Sequence, residues 1–501
     1  MKKLILTAAA IFFTLAAGVT AEAAITPKEP SGSGTWRSPY NISSAENLYW
    51  FAQYCASGND TTNLYAQLTD DIVVNNKQVN ANSTANDVEV WTPIVDYAGK
   101  FYGKNHTISG LYVRGSEYAG LFGTTKSTAY INELTIDNSF FEGTRYTGAV
   151  VAYNEGRNVV NCVNKAELRS YSNGAYTGGI VGYQAAETYL SGCFNYGDIY
   201  GTEYTGGIAG AMVPMDEGAY NLGNYGTICG GKYAGGIVGY MECTFANTEL
   251  KHCFNLGNIY ASEYAGGIAG YSYNYTGTSS AGGSAGMAWF ILNYIGNSFN
   301  YGQISAAHTY PIAGHIEGGL RTEYCYYLKG TADEDFYTET VILPNGGGVQ
   351  ENKVELGIPL TADEFASGKV TYILNESGND SYLWGQNIDN GKTPDLYPCS
   401  WYDGHDTVYY NVLEDKYSNT LNAYETAFRY NGDVTMDESI DMLDVVQVLK
   451  KTESSDYLMP IEAFFAEKNE QVDTVYGDMD GDNAVTDKDA EIMLHIIMLS
   501  K

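Results

Sequence analysis

The chain has 501 residues and carries 27 Lys and Arg against 59 Asp and Glu, which gives a formal net charge of -32. This charge argues against a nucleic-acid-binding protein and against adsorption to anionic membranes, because both partners require a positive surface. Two or three structural units are expected at this length, and the 57 Gly and 45 Tyr favour many turns and half-buried strands.

The N-terminus has the pattern of a secretory signal peptide. Lys2 and Lys3 precede an apolar run that ends near Val19, and small residues suited to cleavage follow at 21–23. We therefore assign residues 1–23 to a signal peptide and expect a secreted, extracellular protein. No later apolar run is long enough to span a bilayer.

The next segment predicts a helix that plugs the first coils. In the stretch SAEN, Ser43 and Glu46 have the spacing of a capping box. Such a plug would cover core and strand edges at the end of a repeat array. Asp70 and Asp71 follow, and as neighbours in a strand they would point to opposite faces. They are therefore not expected to act together on one bond.

A phrase close to Y-[TA]-G-G-I-[VA]-G then recurs through the middle of the chain. Its tyrosines are spaced by 28, 30, 28, 29 and 31 residues, at Tyr118, Tyr146, Tyr176, Tyr204, Tyr233 and Tyr264. Short Ile- and Val-containing runs between Gly and Asn favour strands, with Gly and Asn at the corners. A period of about 29 residues predicts a right-handed parallel β-helix. We expect the Gly-Gly-Ile strands to stack in one sheet, which places these isoleucines in adjacent coils: Ile180, Ile208, Ile237 and Ile268.

Residues 272–290 interrupt this period, so Tyr310 is taken as the next marker. The insertion is either a binding loop or a slack connection. The repeated tyrosines also have two interpretations, a platform on which sugar rings stack or packing at a coil corner.

Four cysteines occupy one repeat position: Cys162, Cys193, Cys253 and Cys325. In neighbouring coils Cys162 and Cys193 would lie close together, either as a disulfide or as buried free thiols.

No catalytic residue is assigned. A hydrolase on this fold would need paired carboxylates, whereas the acidic residues in the coils are scattered, and DGHD at 403–406 is interpreted as a surface turn. We expect no turnover of plant or storage polysaccharides by residues 24–412.

The strongest motif is a pair of twelve-residue loops near the C-terminus, each followed by a helical sequence. Oxygen ligands at alternating positions with a closing carboxylate suit calcium. The expected ligands of two calcium ions are Asp433, Thr435, Asp437, Ser439, Asp441 and Asp444 in the first loop and Asp478, Asp480, Asp482, Ala484, Thr486 and Asp489 in the second. The second loop is expected to bind more tightly, because Thr435 is neutral where Asp480 is charged.

Two family resemblances follow from these motifs. The lead-in GSGTWRSPYNISSAENLYWFAQYC, the phrase YAGLFG and the coils resemble the GLUG-repeat family of secreted bacterial proteins over roughly residues 32–400, which implies a fold rather than an activity. The paired loops resemble a dockerin over residues 424–501, which implies binding to a cohesin module of a scaffoldin. By that resemblance the partner-contacting residues are Met442, Leu443, Leu449, Lys450, Asp487, Lys488, Leu494 and His495.

The expected fold class is mainly β, a parallel β-helix with caps, followed by a small α-helical calcium-binding domain. The segments are a signal peptide at 1–23, an N-terminal cap with first coils at 24–109, the β-helix at 110–328, its C-terminal cap at 329–412, a linker at 413–423 and the dockerin at 424–501. The C-terminal cap includes a second capping-box pattern, Thr361 and Glu364.

The function expected from these segments is that of a secreted, non-catalytic component of a cellulosome-type complex, attached to a cell surface through a scaffoldin, whose β-helix binds a glycan or a surface. The alternatives are a polysaccharide-degrading enzyme, either a glycosidase or a lyase, and an adhesin that binds a protein partner.

Overall fold

The computed structural model describes most of the chain between residues 25 and 409 and part of the C-terminal region. The described residues are 25–185, 188–213, 218–243, 248–274, 293–334, 336–342, 349–366, 369–377, 384–386, 393–396, 400–402, 407–409 and 442–454, with Tyr457, Met459, Val485 and Ala490. The chain is mainly β. No helix in these ranges has the length and apolarity needed to cross a membrane.

Three long sheets of parallel strands form the body of the protein. Sheet 1 contains β1 (Tyr40–Ile42), β2 (Tyr65–Leu68), β3 (Ile72–Val73), β4 (Lys100–Tyr102), β5 (Thr107–Ser109), β8 (Tyr130–Asp137), β11 (Asn158–Asn164), β15 (Tyr189–Ser191), β16 (Phe194–Asn195), β20 (Ala219–Asn224), β24 (Glu249–Asn255), β28 (Asn293–Asn300), β32 (Leu320–Leu328) and β35 (Ile358–Leu360). Sheet 2 contains β7 (Phe122–Thr124), β10 (Val151–Asn154), β14 (Val181–Gln184), β19 (Ala209–Met212), β23 (Val238–Cys243), β27 (Ala269–Asn274) and β31 (Ala313–Glu317). Sheet 3 contains β6 (Tyr112–Ala119), β9 (Phe140–Gly148), β12 (Glu167–Ser170), β13 (Tyr176–Gly178), β17 (Ile199–Tyr200), β18 (Tyr204–Gly206), β21 (Ile228–Cys229), β22 (Tyr233–Gly235), β25 (Ile259–Tyr260), β26 (Tyr264–Gly266), β29 (Ile304–Ser305) and β30 (His308–Tyr310).

The remaining described elements are three short hairpins and four helices. The hairpins pair β33 (Phe336–Ile342) with β34 (Val349–Glu355), β36 (Trp384–Gly385) with β37 (Asp395–Leu396), and β38 (Ser400–Tyr402) with β39 (Thr407–Tyr409). The helices are α1 (Ala45–Ala56), α2 (Ala362–Ala366), α3 (Lys369–Ser377) and α4 (Met442–Glu453).

The chain passes from sheet 1 to sheet 3 to sheet 2 and back in each coil, so the predicted parallel β-helix is confirmed. The predicted isoleucine stack is confirmed as well, since Ile180 N–H donates to Ile208 O at 2.9 Å and Ile208 N–H donates to Ile237 O at 2.9 Å. All four predicted isoleucines are fully buried. They fill the interior, as apolar β-branched residues are expected to do.

The repeated phrase does not form one strand, however, and this expectation is corrected. The residues from its tyrosine to its first glycine lie in a strand of sheet 3 that ends at the glycine, and the residues after the isoleucine begin a strand of sheet 2. Glycine is required at this corner, because a Cβ on Gly178 would lie 2.3 Å from Val181 O. A Cβ on Gly179 would lie 2.2 Å from Gly207 O of the next coil.

The insertion changes the register of the last copy. Tyr264 pairs with His308, and Gly266 pairs with Tyr310. His308 therefore occupies the repeat position that the sequence analysis gave to Tyr310. Residues 275–292, which include most of the insertion, lie outside the described residues, between β27 and β28.

A ladder of buried asparagines runs along the coils. The amide Nδ2 of Asn164 donates to Asn195 Oδ1 at 2.7 Å, and the same contact recurs from Asn195 to Asn224 at 2.7 Å, from Asn224 to Asn255 at 2.7 Å and from Asn255 to Asn300 at 2.8 Å. All five side chains have no solvent exposure. These asparagines are therefore interior ladder residues, and the expectation that Asn serves the corners through left-handed backbone does not hold for them.

Left-handed backbone occurs at another repeat position, immediately before the cysteine position. Residues with positive φ there are Glu133, Asn161, Gly192, Asn221, His252, Asn297 and Tyr324. The next residue points inward, and Cys162 and Cys193 are both buried free thiols. Burial raises the pKa of the Cys162 thiol well above its usual range.

Helix α1 buries Leu48, Phe51 and Cys55 in the same core that fills the coils. Its N-cap is Ser44, whose hydroxyl accepts from Asn47 N–H at 3.4 Å. The predicted cap at Ser43 is thus one residue early, because the helix begins at Ala45.

The other predicted capping box is confirmed: Glu364 N–H donates to Thr361 Oγ1 at 3.2 Å, and Thr361 N–H donates to Glu364 Oε2 at 2.7 Å.

The described residues between 361 and 396 lie against the outer face of sheet 1. Trp384 is buried against Phe254 and Phe299, with ring centroids 6.1 and 5.5 Å apart. Tyr225 donates its hydroxyl to Asp395 Oδ1 at 2.8 Å across 170 residues of sequence. Strand β35 meanwhile extends sheet 1 beyond β32. This segment thus covers one flank of the β-helix in addition to lengthening it.

Candidate functional site

The predicted tyrosine platform is a row of stacked rings on sheet 3. Consecutive ring centroids from Tyr118 to Tyr264 are 5.0–5.7 Å apart, with interplanar angles of 6–19°. His308 continues the row at 4.9 Å from Tyr264. Parallel strands in register bring these rings face to face.

A second row on sheet 2 packs against the first, edge-on at Tyr153 and Tyr183 and at smaller interplanar angles at Tyr240 and Tyr271. It consists of Tyr153, Tyr183, Tyr240 and Tyr271. Tyr176 and Tyr183, for example, meet at 5.2 Å and 85°. Ala211 occupies the position between Tyr183 and Tyr240.

These contacts decide what the two rows can offer a ligand. The ring faces of the sheet 3 row lie against neighbouring rings, so a sugar could meet mainly ring edges and hydroxyls there. Two hydroxyls of the second row are also engaged, since Tyr240 donates to Glu242 Oε2 at 2.9 Å and Tyr271 donates to Glu317 Oε2 at 2.6 Å. Burial, reinforced by these carboxylates, raises the pKa of both phenols. The geometry therefore favours packing at the coil corner over a sugar platform.

One member of the acidic pair considered for catalysis, Asp71, has a structural role. Asp70 and Asp71 lie in the turn between β2 and β3 rather than in a strand. Asp71 Oδ1 accepts from Thr107 N–H at 2.8 Å and lies 3.2 Å from His106 Nδ1. Within the described ranges, no group of three His, Cys, Asp or Glu side chains is placed to hold a metal ion. Residues 403–406 lie outside those ranges.

Part of the predicted docking region is described. Helix α4 takes up the last three positions of the first predicted calcium loop, 442–444, and therefore includes Met442, Leu443 and Asp444. Val445 and Val448 are buried, whereas Leu449 is 39% exposed. The ammonium of Lys450 lies 5.6 Å from the Tyr457 ring centroid.

Sequence reasoning missed one residue of this helix. Val446 is 41% exposed and stands three residues before Leu449 and four before Lys450, a spacing that places all three on one helix face. That spacing was readable in the sequence. The other predicted site residues lie outside the described residues: Asp433, Thr435, Asp437, Ser439, Asp441, Asp478, Asp480, Asp482, Ala484, Thr486, Asp487, Lys488, Asp489, Leu494 and His495.

Comparison with known proteins gives limited relationships. No protein-family model matches the chain. Over 169 residues, 31% of this chain, the sequence is 28% identical to halomucin of Haloquadratum walsbyi, and the match spans only 2% of halomucin. The structure is similar to the crystal structure of a "putative immunoglobulin A1 protease" from Bacteroides ovatus, at 17% sequence identity and a TM-score of 0.44, over 73% of this chain and 94% of that chain.

Proposed function

We propose that this chain is a secreted, non-catalytic component of a cellulosome-type complex. Its C-terminal region docks as a dockerin onto a scaffoldin cohesin, and its GLUG-type β-helix presents a surface to a glycan. The observation that carries the proposal is the position of α4, which begins at Met442, the tenth position of the first twelve-residue loop. Loop and helix thus follow each other in the order that a calcium-dependent docking unit requires.

The surface of α4 suits a partner. Its inner side buries Val445 and Val448, while Val446 and Leu449 are exposed beside Lys450. Apolar side chains exposed together on one helix face are typical of interaction surfaces, and a charged residue beside them suits the polar rim of an interface. A cohesin that covers this face would remove both side chains from water.

Calcium is the cofactor that this proposal requires. The donor set is rich in carboxylates at alternating loop positions, which suits a hard cation with six or more oxygen ligands. Bound calcium would neutralise the repulsion among those carboxylates, and its binding energy would stabilise the folded loops. Asp444, the twelfth position of the first loop, lies in the first turn of α4, and in this proposal its carboxylate would close that loop.

Capture of the full-length chain by a panel of immobilised cohesin modules tests the proposal. We expect capture in calcium and its loss in chelator. Asp478→Ala combined with Asp489→Ala should abolish capture. Asp70→Ala combined with Glu263→Ala, two exposed acidic residues of the β-helix, is the control that should leave capture unchanged.

A second variant separates calcium binding from docking. Leu449→Glu should lose cohesin capture but retain calcium uptake in calorimetry, because it changes the exposed face of α4 and no ligand. Capture that persists in chelator, or a chain that takes up no calcium, would contradict the dockerin assignment.

A further inference from the structure

A polar groove lies on the outer face of sheet 1, near the N-terminal half of the β-helix. It encloses about 520 Å³, and its lining includes Thr135, Val163 and Tyr196. A volume of this size falls within the range of ligand-binding clefts, roughly 300–1,000 Å³. The groove belongs to neither the tyrosine rows nor the docking region.

The groove lies where the residue type changes along one row of outward-facing side chains on sheet 1. Register pairing aligns Thr107, Thr135, Val163 and Phe194 in successive coils. From Phe194 onwards the row is aromatic except at Gly223, and its rings pack in one cluster with the segment that contains Trp384. Before Phe194 the row consists of Thr and Val, and two of these residues, Thr135 and Val163, line the floor of the groove.

One wall is built by the left-handed bends. Glu133 and Asn161 have φ values of 56° and 53° and occupy the same position in adjacent coils. Asn161 is only 4% exposed, and its Nδ2 donates to Asn132 Oδ1 at 3.3 Å. Its Oδ1 has no hydrogen-bond partner among the described residues. Such a buried, unpaired amide oxygen is costly unless something else donates to it.

The same wall carries a carboxyl in an unusual environment. Burial raises the pKa of Glu133 above its usual range, although Lys104 acts in the opposite direction. A partly desolvated carboxyl beside an amide in a concave site is typical of ligand recognition.

An aromatic ring, Tyr196, and a cationic side chain, Lys165, lie at the far end of the groove. Tyr196 is held by stacking on Tyr225, with centroids 4.4 Å apart and planes 5° apart. Lys165 stands opposite Tyr196 in the preceding coil, because Asn164 pairs with Asn195. Lys165 is exposed and forms no ion pair within 4.0 Å among the described residues.

These groups match the chemistry of a sugar chain. The apolar C–H surface of a pyranose ring could pack on Tyr196 and Val163, while its hydroxyls could donate to the carboxyl of Glu133 and accept from Lys165. From Asn105 to Tyr196 the lining crosses four coils, which is about 14 Å at the usual strand spacing.

We propose that this groove binds a short, neutral oligosaccharide laid along the coil axis. The inference rests on the proposed function and deepens it, because it locates the glycan-binding surface of the β-helix.

Calorimetric titration of the full-length chain with cellohexaose, xylohexaose, mannohexaose and an oligogalacturonate tests the groove. We expect binding of at least one neutral probe, and we expect Glu133→Gln and Lys165→Ala each to weaken it by about 10- to 100-fold, since each removes a hydrogen bond to a charged group. Tyr324→Gln is the matched control. Tyr324 has the same left-handed repeat position and is 50% exposed in a distant coil, so affinity should not change.

Two results would overturn the groove assignment: no heat from any neutral probe at millimolar concentration, or equal affinity in the wild type and both groove variants. Thermal unfolding of each variant verifies that the coils remain folded. Cohesin capture of the same samples keeps the two proposals apart. If a groove variant loses sugar affinity but is still captured by cohesin, the groove assignment is supported and the docking proposal is unaffected. If the wild type binds sugar but is not captured, only the dockerin proposal is rejected.

Discussion

The buried asparagine ladder shows how a β-helix core tolerates polar side chains. Each amide from Asn164 to Asn255 donates along the axis to the next asparagine and also to a backbone carbonyl two residues on, as Asn224 does to Gly226 O at 2.9 Å. Both amide hydrogens and the Oδ1 of Asn224 therefore have partners, and the desolvation of the group is compensated. The ladder joins successive coils by side-chain bonds in addition to the backbone.

Asn224→Ala should therefore destabilise the protein more than an ordinary surface change. It leaves Asn195 Nδ2 and Asn255 Oδ1 with one partner fewer in a dry interior, which we expect to cost about 2–3 kcal/mol. The midpoint of urea unfolding measures the loss. Asn173→Ala, at an exposed position, should leave the midpoint within experimental error, and an equal shift in both variants would contradict the role of the ladder.

The sequence could not identify this ladder. Asn followed two residues later by Gly has the composition of a turn, and nothing local distinguishes a corner from an interior position. The distinction depends on the asparagine of the next coil, about 30 residues away. For the same reason Glu133 and Tyr324 carry no sign of the left-handed backbone that they adopt.

At the scale of elements, the repeat predicted the coils because its period is a local and redundant signal. The isoleucine stack and the capping box at Thr361 needed only spacing. The corner inside the Gly-Gly phrase was missed, because a sequence that combines Gly with Ile or Val is compatible with both a strand and a tight corner. The position of residues 361–396 was also missed, since it depends on contacts such as that of Trp384 with Phe254, which no neighbouring sequence records. The groove was missed as well. It exists only where the segment 361–396 stops covering the outer face of sheet 1, and that boundary also depends on long-range contacts.

Trp384→Ala tests how this segment is held. The ring is 1% exposed against Phe254 and Phe299, and loss of a buried aromatic side chain costs about 3–5 kcal/mol. We expect hydrogen exchange to accelerate in α2 and α3, while the isoleucine stack retains its protection. Trp36→Ala is the control, because Trp36 is 68% exposed. Uniform acceleration through the coils would show instead that the segment and the β-helix unfold as one unit.

At the scale of the whole molecule, buried thiols and phenols with raised pKa values make the free energy of unfolding depend on pH in alkaline solution. Burial raises the pKa of Cys253 and Cys325 to about 12 from a usual 9.0, and that of Tyr326 to about 12 from 10.0. The folded chain keeps these protons at a pH where the unfolded chain releases them. This contribution to stability is fully present below pH 9 and is lost as the pH rises towards about 12.

We therefore expect the urea midpoint to fall steadily above about pH 9. Cys253→Ala removes one of the linked groups and should make the fall shallower, although it lowers the midpoint at neutral pH. The net charge of -32 adds repulsion in every variant equally, so the difference in slope isolates the thiol. Identical slopes would rule out the linkage.

The in-register stacking of sheet 1 makes the β-helix a spacer whose length changes in fixed steps. Eleven strands follow one another along the main path of that sheet, and each adds about 4.8 Å. Because neighbouring coils meet through the same asparagine and isoleucine contacts, a coil could be duplicated or removed with its interfaces preserved. The change would move the coils beyond it by one step along the axis. Coil number is thus a means of setting how far one end of the stack stands from the other.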